Sequence, residues 1–196
     1  NDQFETYYLP YIASRRDDIY SQNKGNKSLQ KLSKVFTLKD LIAENYSNQS
    51  IPFANMYDFT KELLAKDPGF QLLLISGNPF IQFKFGYFLN KEFGIKWIAD
   101  YRDDWNTSEL ELKGGIVKKM ISTIQSKSEK KWISSAECIT SVSQAYADKI
   151  GRFTQKKGIV ILNGFDGIED EENIESLKNS FQITYNGSLY ATQPIE

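Results

Sequence analysis

Histidine is absent from this 196-residue chain, and cysteine occurs once, at Cys138. Without histidine there is no Ser-His-Asp or Cys-His nucleophile system, and the commonest metal ligand is gone. A single thiol has no partner for an intrachain disulfide, so Cys138, inside the strand-like run ECITSV, reads as a buried structural thiol. The glycine and cysteine fingerprints G-x-G-x-x-G, G-x-x-x-x-G-K-[ST] and paired C-x-x-C are missing, as is H-E-x-x-H. No secretory signal is present, and apolar runs such as LLLI at 72–75 fall far short of the ~20 residues a membrane span takes, so the expectation is a soluble, cytoplasmic protein. Neither sign of charge dominates: Lys+Arg 24 against Asp+Glu 25 leaves a net charge of -1, which argues against wholesale nucleic-acid binding. The chemistry that remains open uses carboxylates, hydroxyls, amides or backbone dipoles.

A chain that is 40% hydrophobic and 25% charged suits a globular domain. From residue 71 onward, short apolar runs alternate with longer amphipathic ones, the pattern of a parallel sheet wrapped by helices. QLLLIS (71–76) is the first strand. In FIQFKFGYFLNKEF (80–93), Ile81, Phe85, Phe88 and Leu89 share a helical face that Phe80, Phe83 and Tyr87 widen, and Gly94 ends the helix. KWIADY (96–101) is the second strand, and a polar loop follows. Apolar residues at 117, 120, 121 and 124 predict a helix over 116–133. ECITSV (137–142), the helix SQAYADKIGRF and the strand GIVIL (158–162) complete an α/β, Rossmann-like parallel sheet flanked by helices over 71–167. An acidic connector (168–180) then leads to a strand, a glycine turn and a helix start (181–196), where a second unit begins. Residues 1–70 read as a helical and loop segment, with helices around 28–35, 38–45 and 55–66.

In open α/β sheets ligands bind outside the carboxyl ends of the strands, which makes the residues after each strand the ones to weigh. After the first strand come Ser76, Gly77, Asn78 and Pro79: Asn78 suits a helix cap with Pro79 at the first helical position, and Gly77 lets a ligand approach the backbone; an ordinary capped turn accounts for the same residues. After the second, Asp100, Arg102, Asp103 and Asp104 crowd one rim beside Tyr101 and Trp105. Ion pairs that neutralise one another explain the charges. A flat aromatic ring beside hydrogen-bond-accepting carboxylates is also what holds a sugar, which offers hydroxyls at its edge and C–H groups on its face. After the third strand, Ser141 and Gln144 stand at capping-box spacing, with Ser143 between them. After the fourth, Asn163 opens a tight turn at the edge of the connector. The helix over 116–133, with its leading loop, carries Lys113, Lys118, Lys119, Lys127, Lys130 and Lys131 against Glu111 and Glu129, which makes either a solvated face or a surface that rests on an anionic membrane.

Taken in order, LLLISGNPFIQFKFGYFLNKEFGIKWIADYRDDW, EKKWISSAECITSVSQAYADKI, VILNGFD and ITYNGSLY resemble the amino-terminal domain and inter-domain crossing of retaining glycosyltransferases of the family 4 type, above all those that build bacterial surface polysaccharides. The resemblance spans about 72–193 and implies the two-domain GT-B architecture. It implies transfer of a sugar from a nucleotide-sugar donor to a glycan or lipid-linked acceptor, with no metal or other cofactor. It puts Ser76, Gly77, Asn78, Asp100, Asp104, Trp105, Ser143 and Asn163 on the acceptor side of a cleft, with Arg102 and Asp103 closest to the chemistry. It also puts Gly187 and Ser188 against the donor phosphates. The family's opening strand and Gly-rich loop are not found here, and Ser188 stands where many members carry arginine, so these residues alone are expected not to catalyse transfer. A non-catalytic Rossmann-like binding module and a hydrolase acting through Asp103 are the competing readings.

Overall fold

The computed structural model describes residues 4–12, 53–107 and 116–164. The chain divides into two compact units, 1–163 and 164–196, and every described residue except Gly164 belongs to the first. The helices expected around 28–35 and 38–45, the connector and the start of the second unit all lie outside the described residues, as do Gly187 and Ser188.

The first unit is α/β. In chain order the elements are helix α1 (Ala54–Lys66), strand β1 (Leu72–Ser76), a 3-10 turn (Phe80–Gln82), helix α2 (Phe83–Phe93), strand β2 (Lys96–Tyr101), helix α3 (Ile116–Ile133), strand β3 (Cys138–Ser141), helix α4 (Gln144–Thr154) and strand β4 (Gly158–Val160). The four strands are all parallel and run across the sheet in sequence order. This is the Rossmann-like pattern that the alternating apolar runs predict, and β2 and α3 keep the expected bounds.

Strand residues alternate between the two faces of the sheet, and this alternation decides where the core forms. Leu73, Ile75, Trp97, Ala99, Tyr101 and Ile139 point toward the helices and meet Phe83, Tyr87, Trp132, Ile133 and Ile150. A second cluster under α1 gathers Tyr57, Leu64, Phe85, Leu89 and Ile95. Each fully buried large side chain contributes about 1.5–3 kcal/mol. The opposite face carries Leu74 and Ile161, which are 64% and 56% exposed. Cys138 belongs to that face and is half-buried rather than buried, with its thiol pushed up chiefly by burial and then by Glu137.

Two glycines set how the core closes. Gly86 lies in α2 against the indole of Trp97, where an added Cβ would come within 2.5 Å of the ring. Gly94 ends α2 at φ 68, its N–H donating to the Asn90 carbonyl at 2.8 Å, as a left-handed cap requires. Met120, counted with the apolar stripe of α3, is 54% exposed, because the buried side of that helix turns instead through Ser128, Glu129, Trp132 and Ile133.

Candidate functional site

The carboxyl ends of β1, β2 and β3 are in register at Ser76, Asp100 and Thr140. Register partners in a parallel ladder point the same way, so these three side chains form a polar row across one face. Asp100, 6% exposed, sits at the centre. Its Oδ2 accepts from the Ser76 hydroxyl at 2.9 Å and from Arg102 Nε at 2.9 Å, and its Oδ1 accepts from the Thr140 hydroxyl at 2.7 Å. Arg102, two residues on and back on the same face, also donates through Nη1 to Asn163 Oδ1 at 3.0 Å. One buried carboxylate therefore links the ends of three strands, and the guanidinium it orients reaches Asn163, three residues past the end of the fourth. Thr140 was not among the expected site residues; its register with Asp100 is the signal, and it appears only once the strands are paired.

The other face of β2 ends in a second network. Tyr101, fully buried, donates to Glu129 Oε1 at 2.8 Å, and Asn106 Nδ2 donates to Glu129 Oε2 at 2.6 Å. Burial of Glu129 pushes its carboxyl up, and the hydrogen bonds from Asn106 and Tyr101 partly offset that rise. Burial, followed by the Glu129 charge, also pushes the Tyr101 phenol up, which keeps it protonated as a donor.

Between the networks runs the loop 102–107. Asp104 pairs with Lys149 of α4 at 3.3 Å. Trp105 stacks on Phe80, with ring centroids 5.2 Å apart and planes 4° apart, and on Trp132, at 6.1 Å and 21°. The indole thereby fastens the loop to the core aromatics. Arg102 and Asp104 likewise belong to pairs within the fold, as the self-neutralising reading held. Asp103 alone of the expected acids is exposed and makes no hydrogen bond or ion pair with another described residue.

The turn after β1 differs from expectation. Asn78 makes no capping bond; it lies exposed at φ 88, and α2 begins only at Phe83, after the 3-10 turn. Gly77 donates its N–H to the Asp100 carbonyl at 2.7 Å, and the space where its Cβ would stand is taken by the rings of Phe80 and Phe83 at 2.7 Å. The missing side chain makes room for this aromatic packing. After β3, Ser143 caps α4 by accepting from the Tyr146 N–H at 3.3 Å, whereas Ser141 is a buried strand residue whose hydroxyl has no hydrogen-bond partner among the described residues. The expected pairing of Ser141 with Gln144 thus gives way to Ser143, because the strand runs through Ser141.

A cavity of about 340 Å³ between α1, β1 and α2 reaches Ser76, with Met56, Thr60 and Gln82 on its wall. A hollow of about 650 Å³ lies at the opposite, amino ends of β1 and β2, lined by Leu72 and Lys96, and has no part in either network. On α3, Lys130 lies over the Phe153 ring and Lys131 over the Tyr87 ring, so these two cations lean toward different neighbouring helices instead of sharing one flat basic face. Among the described residues no group of His, Cys, Asp and Glu has the arrangement of a metal site, and no helix is long and apolar enough to cross a membrane. Comparison of the chain with protein-family models, with curated proteins and with solved structures finds no match.

Proposed function

We propose that this chain is the acceptor-side part of a retaining glycosyltransferase, which moves a sugar from a nucleotide-sugar donor to a glycan or lipid-linked acceptor. The observation that carries the reading is the loop at the mouth of β2. Arg102, Asp104, Trp105 and Asn106 are each tied to strands or helices, and Asp103 stands exposed among them. A carboxylate on so constrained a loop is pre-organised to accept hydrogen bonds from the hydroxyls of an acceptor sugar. Arg102, its side chain 55% exposed and with Nε and Nη1 engaged, has further N–H groups that can donate to sugar oxygens or to a phosphate.

The test is Asp103→Asn in the protein together with its donor-binding domain, assayed for transfer from a panel of nucleotide sugars. The amide still accepts a hydrogen bond, so only the charge assistance is lost, about 1–1.5 kcal/mol, which predicts a fall in turnover of roughly 5- to 10-fold. The melting temperature should not change, since Asp103 makes no hydrogen bond or ion pair with another described residue. Unaltered kinetics would take Asp103 out of the site, and nucleotide-sugar binding without transfer to any acceptor would favour the binding-module reading.

A further inference from the structure

Glu129, the one acid within the sequence of α3, points inward and is 1% exposed. Its two oxygens take donors from different parts of the chain: the end of β2 through Tyr101, and the loop through Asn106. The Asn106 backbone N–H adds a further bond to the same carboxyl. Three residues further along α3, Trp132 stacks on Trp105, so helix and loop meet at two adjacent points, one polar and one aromatic. An apolar residue at 129 would have joined the core; a carboxyl here is costly to bury unless its bonds hold something in place.

We propose that Glu129 is a positioning residue that clasps the loop 102–107 against α3 through Asn106, and that this hold tightens when the carboxyl takes up a proton. Whatever the loop binds, the clasp sets how long Asp103 is presented in one geometry. The inference concerns loop order, so it stands apart from the sugar-transfer reading.

The direction follows from linkage. Burial raises the carboxyl of Glu129 above the ordinary glutamate range in the closed loop. When the loop lifts and water reaches the group, its affinity for the proton falls back toward the ordinary value. The closed form therefore binds the proton more tightly, and it is favoured at low pH and weakened as pH rises through the raised value. Among the titratable groups around it, Tyr101 from β2 donates to it and Lys130 of its own helix stabilises its charge. The packed helices bring Lys84 and Lys91 on α2 and Asp148 and Lys149 on α4, none of which is among the groups that shift it.

Hydrogen exchange of the amides of residues 102–107, corrected for the intrinsic pH dependence of exchange and followed from pH ~5 to ~8, tests the clasp. Protection of these amides, Asn106 foremost, is expected to fall by several-fold as pH rises in the parent protein. In Glu129→Gln, which keeps the shape and removes the charge, protection should be high and flat. A flat or rising profile in the parent, or the same slope in Glu129→Gln, overturns the proposal. Two further measurements decide the matter should Glu129→Gln fold poorly. The side-chain carboxyl of Glu129, followed by 13C NMR in the unsubstituted protein, must titrate above the ordinary glutamate value, and a titration at or below it is a refutation. Asn106→Ala must lower protection of the loop at every pH without changing that of β2; intact protection is equally fatal.

Discussion

Replacing Asp100 separates two roles that its carboxylate combines, charge and hydrogen-bond geometry. In Asp100→Ala three donors lose their acceptor at once. The Thr140 hydroxyl is buried, and its bond to a carboxylate contributes about 1.5–3 kcal/mol. Ser76 is exposed and the Arg102 side chain is 55% exposed, so solvent screens both and each adds only about 0–1 kcal/mol. The sum is about 3 kcal/mol of lost stability. Asp100→Asn behaves differently because hydroxyls can reverse their role and a guanidinium cannot. The amide oxygen can take the place of Oδ2 and accept from Ser76 and Arg102, while the amide nitrogen takes the place of Oδ1 and donates to a rotated Thr140 hydroxyl. Only the charge is lost, for about 1 kcal/mol. Urea unfolding followed by circular dichroism reads the difference: with a slope of about 1–3 kcal/mol per molar urea, the Ala midpoint should fall by about 1–3 M and the Asn midpoint by well under half of that. Equal losses for the two variants would show that the charge on Asp100, and not its set of acceptors, holds the strand ends. A loss below about 1 kcal/mol for Asp100→Ala would remove the network from any account of stability.

The two serines around the start of α4 should respond in opposite ways. Ser143→Ala removes a cap and should destabilise by about 1 kcal/mol, whereas Ser141→Ala removes a buried hydroxyl without a partner and should be neutral or stabilising in the same urea assay. Gly86→Ala improves helix propensity by about 1 kcal/mol but drives a methyl group into the Trp97 ring, for which overpacking costs about 1–3 kcal/mol; net destabilisation with altered near-UV circular dichroism is expected, and a stabilised protein would disprove that contact. Gly94→Ala has open space around it, so its expected loss of about 1–2 kcal/mol arises from φ 68 alone, and Gly94→Asn should restore part of it.

Periodicity carried the fold. The runs at 72–76 and 96–101 and the helical repeats at 83–93 and 116–133 could be read because one face of each is apolar and the period is short. The helix starts were harder, since they depend on which of several neighbouring serines or asparagines has its backbone outside the strand. Ser141 and Ser143 are chemically alike, and only the pairing of β3 with β2 and β4 assigns one to the sheet and the other to the cap. By charge alone Glu129 is counter-charge on a basic helix, although Trp132 and Ile133 follow it at spacings of three and four, the mark of a shared face. Thr140 and Asn163 join the Asp100 network across 40 and 61 residues of sequence, separations that no local pattern reports.

The charge at the mouth of β2 now has a physical division. A strand that ends on both faces of a sheet at once must finish its two last side chains in different surroundings, and it does so with one acid on each side. Asp100 on one face is its own acid and orients Arg102; Tyr101 on the other borrows Glu129 from α3. The loop that leaves the strand is thereby held from both faces before any ligand arrives, and Asp104 and Trp105 add an ion pair and an aromatic stack from α4, the 3-10 turn and α3. So many fastenings on six residues exceed what a connection needs, because surface loops ordinarily keep their freedom. The ordering entropy saved at binding is the return on that arrangement: a carboxylate already fixed in place gives up less freedom when it grips a hydroxyl than one on a free loop. Loosening any fastening should therefore weaken whatever Asp103 binds even where the variant never touches the ligand. Asn106→Ala, three residues along the chain from the exposed carboxylate of Asp103, is the variant in which tighter presentation can be separated from simple loss of contact.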